Sequence, residues 1–186
     1  MFGAYNGWER ANWYAPQGVA PKDEITFEIP NWFEQVAAEH KHARENVVLI
    51  DQTSFCKFEV EGPGALEFLN RLCANQIDQP VGKVIYTQMC NDRGTIECDM
   101  TVGRLDETRF LIVVGTAFGL RTWWWIKTHM PDDGSVFTKE VTSAYGVNNV
   151  IGPKSRTLLE KTTNADISNQ SFPFGTCRHF TVGYAP

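Results

Sequence analysis

The 186-residue chain has no Cys-x-x-Cys pair, no long apolar run, no cluster of lysine and arginine, and no glycine fingerprint for a nucleotide. Each absence excludes something. The longest apolar stretches fall well short of the ~20 residues needed to span a bilayer, so no membrane segment is expected. With 17 Lys and Arg against 22 Asp and Glu the net charge is −5, which argues against a nucleic-acid or anionic-membrane surface. "VVGTAFG" is glycine-rich but fits neither G-x-G-x-x-G nor the P-loop. The opening "MFGAYNGWER" lacks the basic and apolar regions of a signal peptide. Five scattered cysteines (Cys56, Cys73, Cys90, Cys98, Cys177) are an odd number without a framework, the usage of a reducing compartment. The expected location is the cytoplasm, or the mitochondrial matrix in a eukaryote. His40 and His42 sit in the charged stretch "AEHKHARE" without further ligands, so a solvated helix face is expected and no metal site. Ser135, the one serine near glycine, has no nucleophile-elbow pattern around it.

Apolar residues make up 42% of the chain, enough for a substantial core. Residues 1–30 read as an aromatic arm, irregular over "GWERANWYAPQGVAPKD" but carrying the large apolar area of Trp8, Trp13 and Tyr14. A helix is expected over "WFEQVAAEHKHAREN", with Asn31 as N-cap and Glu34 three residues on. "VVLID" reads as a short buried strand. "FCKFEVEG" alternates, Phe58 and Val60 on one side and Lys57 and Glu59 on the other. Pro63 opens a helix in which Ala65, Leu66, Leu69, Leu72 and Cys73 form one apolar face. A β-meander follows: "GKVIYTQMC", the turn "NDRG", "TIECDMTVGRL", the turn "DET", and "RFLIVVG". "AFGLRTWWWIKTHM" reads as a helix whose three tryptophans cannot all face one core, and "SVFTKEV" as a strand.

An internal repeat is visible at an offset of 90 residues. "VEGPGALEFLNRLCANQI" and "VIGPKSRTLLEKTTNADI" keep Gly62/Gly152, Pro63/Pro153, Leu69/Leu159 and Ile77/Ile167 in step. Either the chain holds two related β-α-β halves, or a common way of turning a chain occurs twice. The second half lacks a strand pair to match the meander of the first.

The meander carries an anomaly. Asp99 lies near the middle of a strand, where aspartate is depleted. Alternation sends Ile96, Cys98, Met100 and Val102 to one face and Thr95, Glu97, Asp99 and Thr101 to the other. Glu97 would lie about 7 Å from Asp99, close enough for coupled titration in an enclosed site. The same row could equally be the polar solvent face of an antiparallel sheet. Tyr86, on the preceding strand, could line a site with Asp99 or simply make a cross-strand packing pair. Asn91 and Asp92 are turn formers, and Gly94 supplies positive φ.

"GWERANWYAP", "DQTSFCKFEVEGPGALEFLNRL", "VGKVIYTQMCNDRGTIECDMTVGRL", "FLIVVGTAFG" and "GPKSRTLLEKTTNADISNQSFPF" together resemble the folate-binding domain of dimethylglycine and sarcosine dehydrogenases. The wider group is the glycine cleavage T-protein, or aminomethyltransferase, family. The resemblance implies an α+β fold of related β-α-β lobes around a central hole that takes tetrahydrofolate, with the second lobe incomplete. The implied segments are an arm over 1–30, a first folate-binding lobe over 31–145 and the start of a second over 146–186. The implied function is one-carbon transfer from an N-methylglycine-type amine to tetrahydrofolate. Asp99 matches the family's aspartate beside the pterin, with an electrostatic and general-base role. Thr101 and Tyr86 match residues that line the same pocket.

The sequence also departs from the family. Gly103 stands where T-proteins have a tyrosine, and Gly115 where they have an asparagine. The family's pterin-gripping glutamate motif would fall beyond Pro186. The branch's FAD belongs to an N-terminal domain that this chain does not include. The expected partners are a small-molecule amine, folate, and a missing FAD domain, C-terminal lobe or second chain. Two rival expectations are a non-catalytic interaction module on the same scaffold, and a demethylase of another methylated substrate.

Overall fold

The computed structural model describes residues 1–184; the last two residues of the segment expected over 146–186 lie outside it. The elements in chain order begin with β1 (Phe2–Tyr5), β2 (Trp8–Ala11), α1 (Phe33–Glu45), β3 (Val48–Asp51), β4 (Cys56–Glu61) and α2 (Ala65–Leu72). They continue with β5 (Val84–Cys90), β6 (Ile96–Asp106), β7 (Arg109–Val114), α3 (Gly119–His129), β8 (Phe137–Glu140), β9 (Asn148–Ile151) and α4 (Ser155–Leu159). Two compact units result. One joins residues 1–51 to 148–162; the other joins 52–147 to the described residues from 163 on.

The larger unit is a five-stranded antiparallel sheet in the order β5-β6-β7-β4-β8. Its inner face follows from alternation. Phe58 and Val60 of β4, Met100 and Val102 of β6, and Phe110 and Ile112 of β7 are all buried. Against them pack Ala65, Phe68, Leu69 and Leu72 of α2 and Ile126 of α3, in one continuous core. Burial of each of the larger side chains contributes roughly 1.5–3 kcal/mol, which makes this cluster the main support of the sheet. The apolar helix face and the meander therefore match expectation. The opposite side of β4 is less simple than its polar sequence suggests. Lys57 and Glu59 are themselves buried, Lys57 Nζ donating to the carbonyls of Thr53 (2.8 Å) and Tyr145 (2.9 Å). The three tryptophans divide as helical geometry requires. Trp123 stacks on Phe58 at 5.3 Å, Trp125 lies on His129 at 4.2 Å, and Trp124 is exposed.

The smaller unit corrects three expectations. The arm is not irregular throughout, because β1 and β2 pair as a hairpin with Phe2 opposite Ala11. Its turn is Asn6-Gly7, both at positive φ (50° and 84°), the backbone that Asn-Gly favours in two-residue hairpins. Asn31 does not cap α1; Trp32 holds that position. The Asn31 side chain is spent on the preceding loop, accepting from Glu24 N (3.2 Å) and donating to Lys22 O (2.9 Å). The "VVLID" strand is largely exposed and pairs only with β9, Val48 opposite Ile151. A two-stranded sheet offers each strand a single neighbour, so its side chains stay accessible.

The repeat is real at the level of the backbone. Gly62 and Gly152 both have strongly positive φ, 124° and 135°. Two residues after each, an amide donates to a neighbouring carbonyl at 3.0 Å: Gly64 N to Ser135 O, and Lys154 N to Asn46 O. Each carbonyl belongs to the residue two before the paired strand, which starts at Phe137 and Val48 respectively. A β-carbon at either glycine would come within 2.4 Å or 2.3 Å of that same carbonyl oxygen. Gly62→Ala and Gly152→Ala are each expected to destabilise the fold by about 2 kcal/mol. Chemical denaturation of the two variants measures this, and an alanine without effect at either position would contradict the shared geometry.

Candidate functional site

The β5–β6 hairpin places the chemistry. Tyr86 lies opposite Thr101, and Gln88 lies opposite Asp99, on the face turned away from α2 and α3. Cys98, Met100 and Val102 point the other way and are buried at 4%, 2% and 0% exposure. Their burial locks the register, because a slip of one residue would turn Asp99 into the core. The Tyr86 hydroxyl donates to Asp99 Oδ2 at 2.8 Å. The structure thus brings together all three candidates named from the sequence. Tyr86 and Asp99 are bonded, and Thr101 is half-buried beside them.

Asp99 and Tyr86 are both solvent-exposed within the larger unit. The hydrogen bond to the Asp99 carboxylate raises the Tyr86 hydroxyl above the ordinary tyrosine value, so it stays a donor at neutral pH. A carboxylate can accept about four hydrogen bonds, so Asp99 keeps capacity for a ligand's N–H groups. An open hollow of about 590 Å³ lined by Met1, Phe2, Tyr14, Ala15, Val19 and Pro21 includes none of these three residues. Among the described residues no cluster of His, Cys, Asp and Glu could hold a metal ion.

The row expected from strict alternation needs a correction at its start. A β-bulge lies between the pairs Met89–Cys98 and Cys90–Ile96, which leaves Glu97 as the extra residue. Ile96 is consequently exposed rather than in the core. Glu97 turns to other partners than Asp99: it accepts from Asn91 Nδ2 (2.7 Å) and from the Arg121 guanidinium. Asn91 closes the turn as well. Its Oδ1 accepts from Arg93 N (3.0 Å) and Thr95 N (3.2 Å), while Nδ2 also reaches Thr95 Oγ1 (2.6 Å). Sequence reasoning took Asn91 for a turn former only. Its place six residues before Glu97, across a tight turn, was the available signal. Nothing local in the sequence points to Arg121.

A second polar group lies further along the sheet. Glu59 accepts from Arg109 (2.7 Å) and from the Tyr145 hydroxyl (3.1 Å). The Arg109 hydrogen bond, against the opposing effect of burial, holds Glu59 below the usual carboxylate range. This group ties β4 to β7 and to the loop after β8.

Glu97 is likewise held below its ordinary value, first by Asn91 and then by Arg121. A carboxyl whose folded value is depressed stabilises the fold above its unfolded value, and loses that contribution as pH falls through the folded value. The hairpin should therefore loosen as pH drops below the ordinary carboxylate range. Amide exchange of residues 91–97 between pH 6 and pH 3 would show it, and Glu97→Gln should flatten the dependence.

Comparison with known proteins gives a consistent neighbourhood. The GCVT N-terminal domain family matches residues 1–186. A 4-methylaminobutanoate oxidase (formaldehyde-forming) of Paenarthrobacter nicotinovorans is 40% identical over 99% of this chain and 22% of its own length. The mitochondrial pyruvate dehydrogenase phosphatase regulatory subunit of Mus musculus is 34% identical over 97% of this chain and 21% of its own. Mouse mitochondrial dimethylglycine dehydrogenase is 31% identical over 99% of this chain and 21% of its own. The chain thus spans about a fifth of the length of these relatives. The crystal structure of glycine cleavage system aminomethyltransferase T from Bartonella henselae superposes with a TM-score of 0.69. The match covers 87% of this chain and 39% of that one at 23% identity, a likeness of fold.

Proposed function

This chain belongs to the GCVT N-terminal domain family, and from that premise we propose that its β5–β6 face binds tetrahydrofolate and serves one-carbon transfer from an N-methylated amine. The observation that carries the reading is the Tyr86–Asp99 hydrogen bond at 2.8 Å on an open strand face, beside Thr101. The donor set fits the group. A reduced pterin presents N–H donors, which an exposed carboxylate accepts, and a flat ring, which the exposed Tyr86 ring can cover. Bound tetrahydrofolate supplies the amine nitrogen that receives the one-carbon unit.

The chain's own residues then have separate tasks. Asp99 accepts a hydrogen bond from the folate amine, fixes its direction, and takes up the proton released as the amine reacts. Its negative charge also stabilises a cationic carbon approaching that amine. Tyr86, kept protonated by its bond to Asp99, holds the carboxylate in one rotamer. Thr101 offers a hydroxyl on the same face. Flavin chemistry has no fingerprint in this sequence and is assigned to another domain of a longer protein or to a partner chain.

A second reading is a scaffold without catalysis. Two observations favour it: Asp99 stands open on the face of its own unit, and one similar protein is by its name a regulatory subunit. A third places a different methylated amine at the site, since another similar protein is by its name a 4-methylaminobutanoate oxidase. Calorimetric titration of the chain with tetrahydrofolate separates catalysis-competent from scaffold readings. Saturable binding is expected, weakened at least tenfold in Asp99→Asn, about 1.4 kcal/mol. Absence of binding, or binding indifferent to Asp99, would overturn the folate reading.

A further inference from the structure

The geometry points to Glu97 and Arg121 as positioning residues that hold the Asp99–Tyr86 pair in place from outside it. The inference rests on the folate reading only for its functional consequence; its structural core stands by itself. Three separate parts of the larger unit meet on one carboxylate. Asn91 brings the turn, Glu97 the bulge of β6, and Arg121 the first turn of α3. The Glu97 side chain is 7% exposed, whereas that of Arg121 is 60% exposed. A buried carboxylate is costly unless it is fully bonded, so the bulge is stable only while both donors are present.

The bulge matters because it sets the path of everything after it. One extra residue in β6 bends and twists the strand where the ladder resumes at Met89–Cys98. Asp99 is the next residue, and its side chain must meet the Tyr86 hydroxyl across the ladder. If Glu97 loses its partners, the bulge can migrate or flatten. The strand then relaxes towards ordinary alternation, which would put Ile96 on the inner face and shift Asp99 relative to β5. Arg121 thus acts on the site through Glu97, not by touching a ligand. The charged groups around Glu97 are Arg121 from α3 and Arg93 from the turn; Tyr86 is faced by Asp99 and by the neutral Gln88.

The Tyr86 hydroxyl reports on this directly, because its raised ionisation comes chiefly from the bond to Asp99. The test follows the ionisation of ζ-¹³C-labelled tyrosine in the full chain by NMR, with Tyr86→Phe assigning the resonance among the five tyrosines. Asp99→Asn gives the unbonded reference. In Arg121→Ala the ionisation of Tyr86 is expected to fall towards that reference, and Arg121→Lys is expected to restore it. Removing a nearby cation without disturbing the geometry would have the opposite sign and raise it. Glu97→Ala is expected to fall as well, and Glu97→Gln, whose amide oxygen still accepts from Asn91 but whose amide nitrogen cannot accept from Arg121, is expected to fall as Arg121→Ala does. Arg121 is on the surface, so its variants remain informative if Glu97→Ala does not fold.

Tyr86 unchanged or raised in Arg121→Ala would overturn the proposal. So would a Tyr86 ionisation left unchanged in Glu97→Ala. Tetrahydrofolate titration of the same variants adds the functional arm, with affinity expected to drop about tenfold in Arg121→Ala and recover in Arg121→Lys. Tyr86 behaving as expected in a chain that binds no folate would sink the folate reading and leave the positioning role intact.

Discussion

The period of two along β6 is the constraint on which the site depends. Cys98, Met100 and Val102 must enter a core already filled by α2, β4 and β7, so the residues between them must leave it. Asp99 and Thr101 are therefore presented by burial that occurs on the other side of the sheet. This is an economical way to place a carboxylate on a strand, where aspartate is otherwise disfavoured. The apolar partners fix the register, and the polar residues inherit it without contributing to the core.

How far the sequence disclosed this structure depends on how local the determinant was. The meander and the apolar face of α2 follow from period and turn chemistry, whereas the place of β4 between β7 and β8 rests on pairing between distant segments and has no local mark. Alternation on either side of the "NDRG" turn leaves Tyr86 and Asp99 free to share a face, but the bond between them is diagonal, with Tyr86 opposite Thr101 and Gln88 opposite Asp99. The bulge at Glu97 was hidden, because strict alternation is the default reading and an extra residue leaves no compositional mark. It exists because a turn asparagine and an arginine on α3, 24 residues further along the chain, converge on one carboxylate. Asn31 failed as a cap for a similar reason: a side chain with two hydrogen-bonding ends was claimed by a loop. The Asn6-Gly7 hairpin was in the sequence in plain form, but the surrounding tryptophans and prolines drew the reading towards irregular structure.

The repeat shows the reverse case, in which a faint sequence signal marks a firm physical rule. Only a glycine can pass a carbonyl at that distance with that φ, and the next turn's amide then satisfies the same carbonyl. The closure recurs in both units although their helices differ, α2 with a buried apolar face and α4 with no buried residue. What the two halves share is a way of turning a strand into a helix. The helix that follows is free to diverge.

The run of three tryptophans has an optical consequence. Rotation by about 100° per residue puts neighbouring indoles into different surroundings. Trp123 emits from a partly buried stack against Phe58, and Trp124 emits from solvent, although one peptide bond joins them. An external quencher reaches the second more freely than the first. With the other four tryptophans replaced, the contrast between these two indoles would track the docking of α3 on β4 without any label.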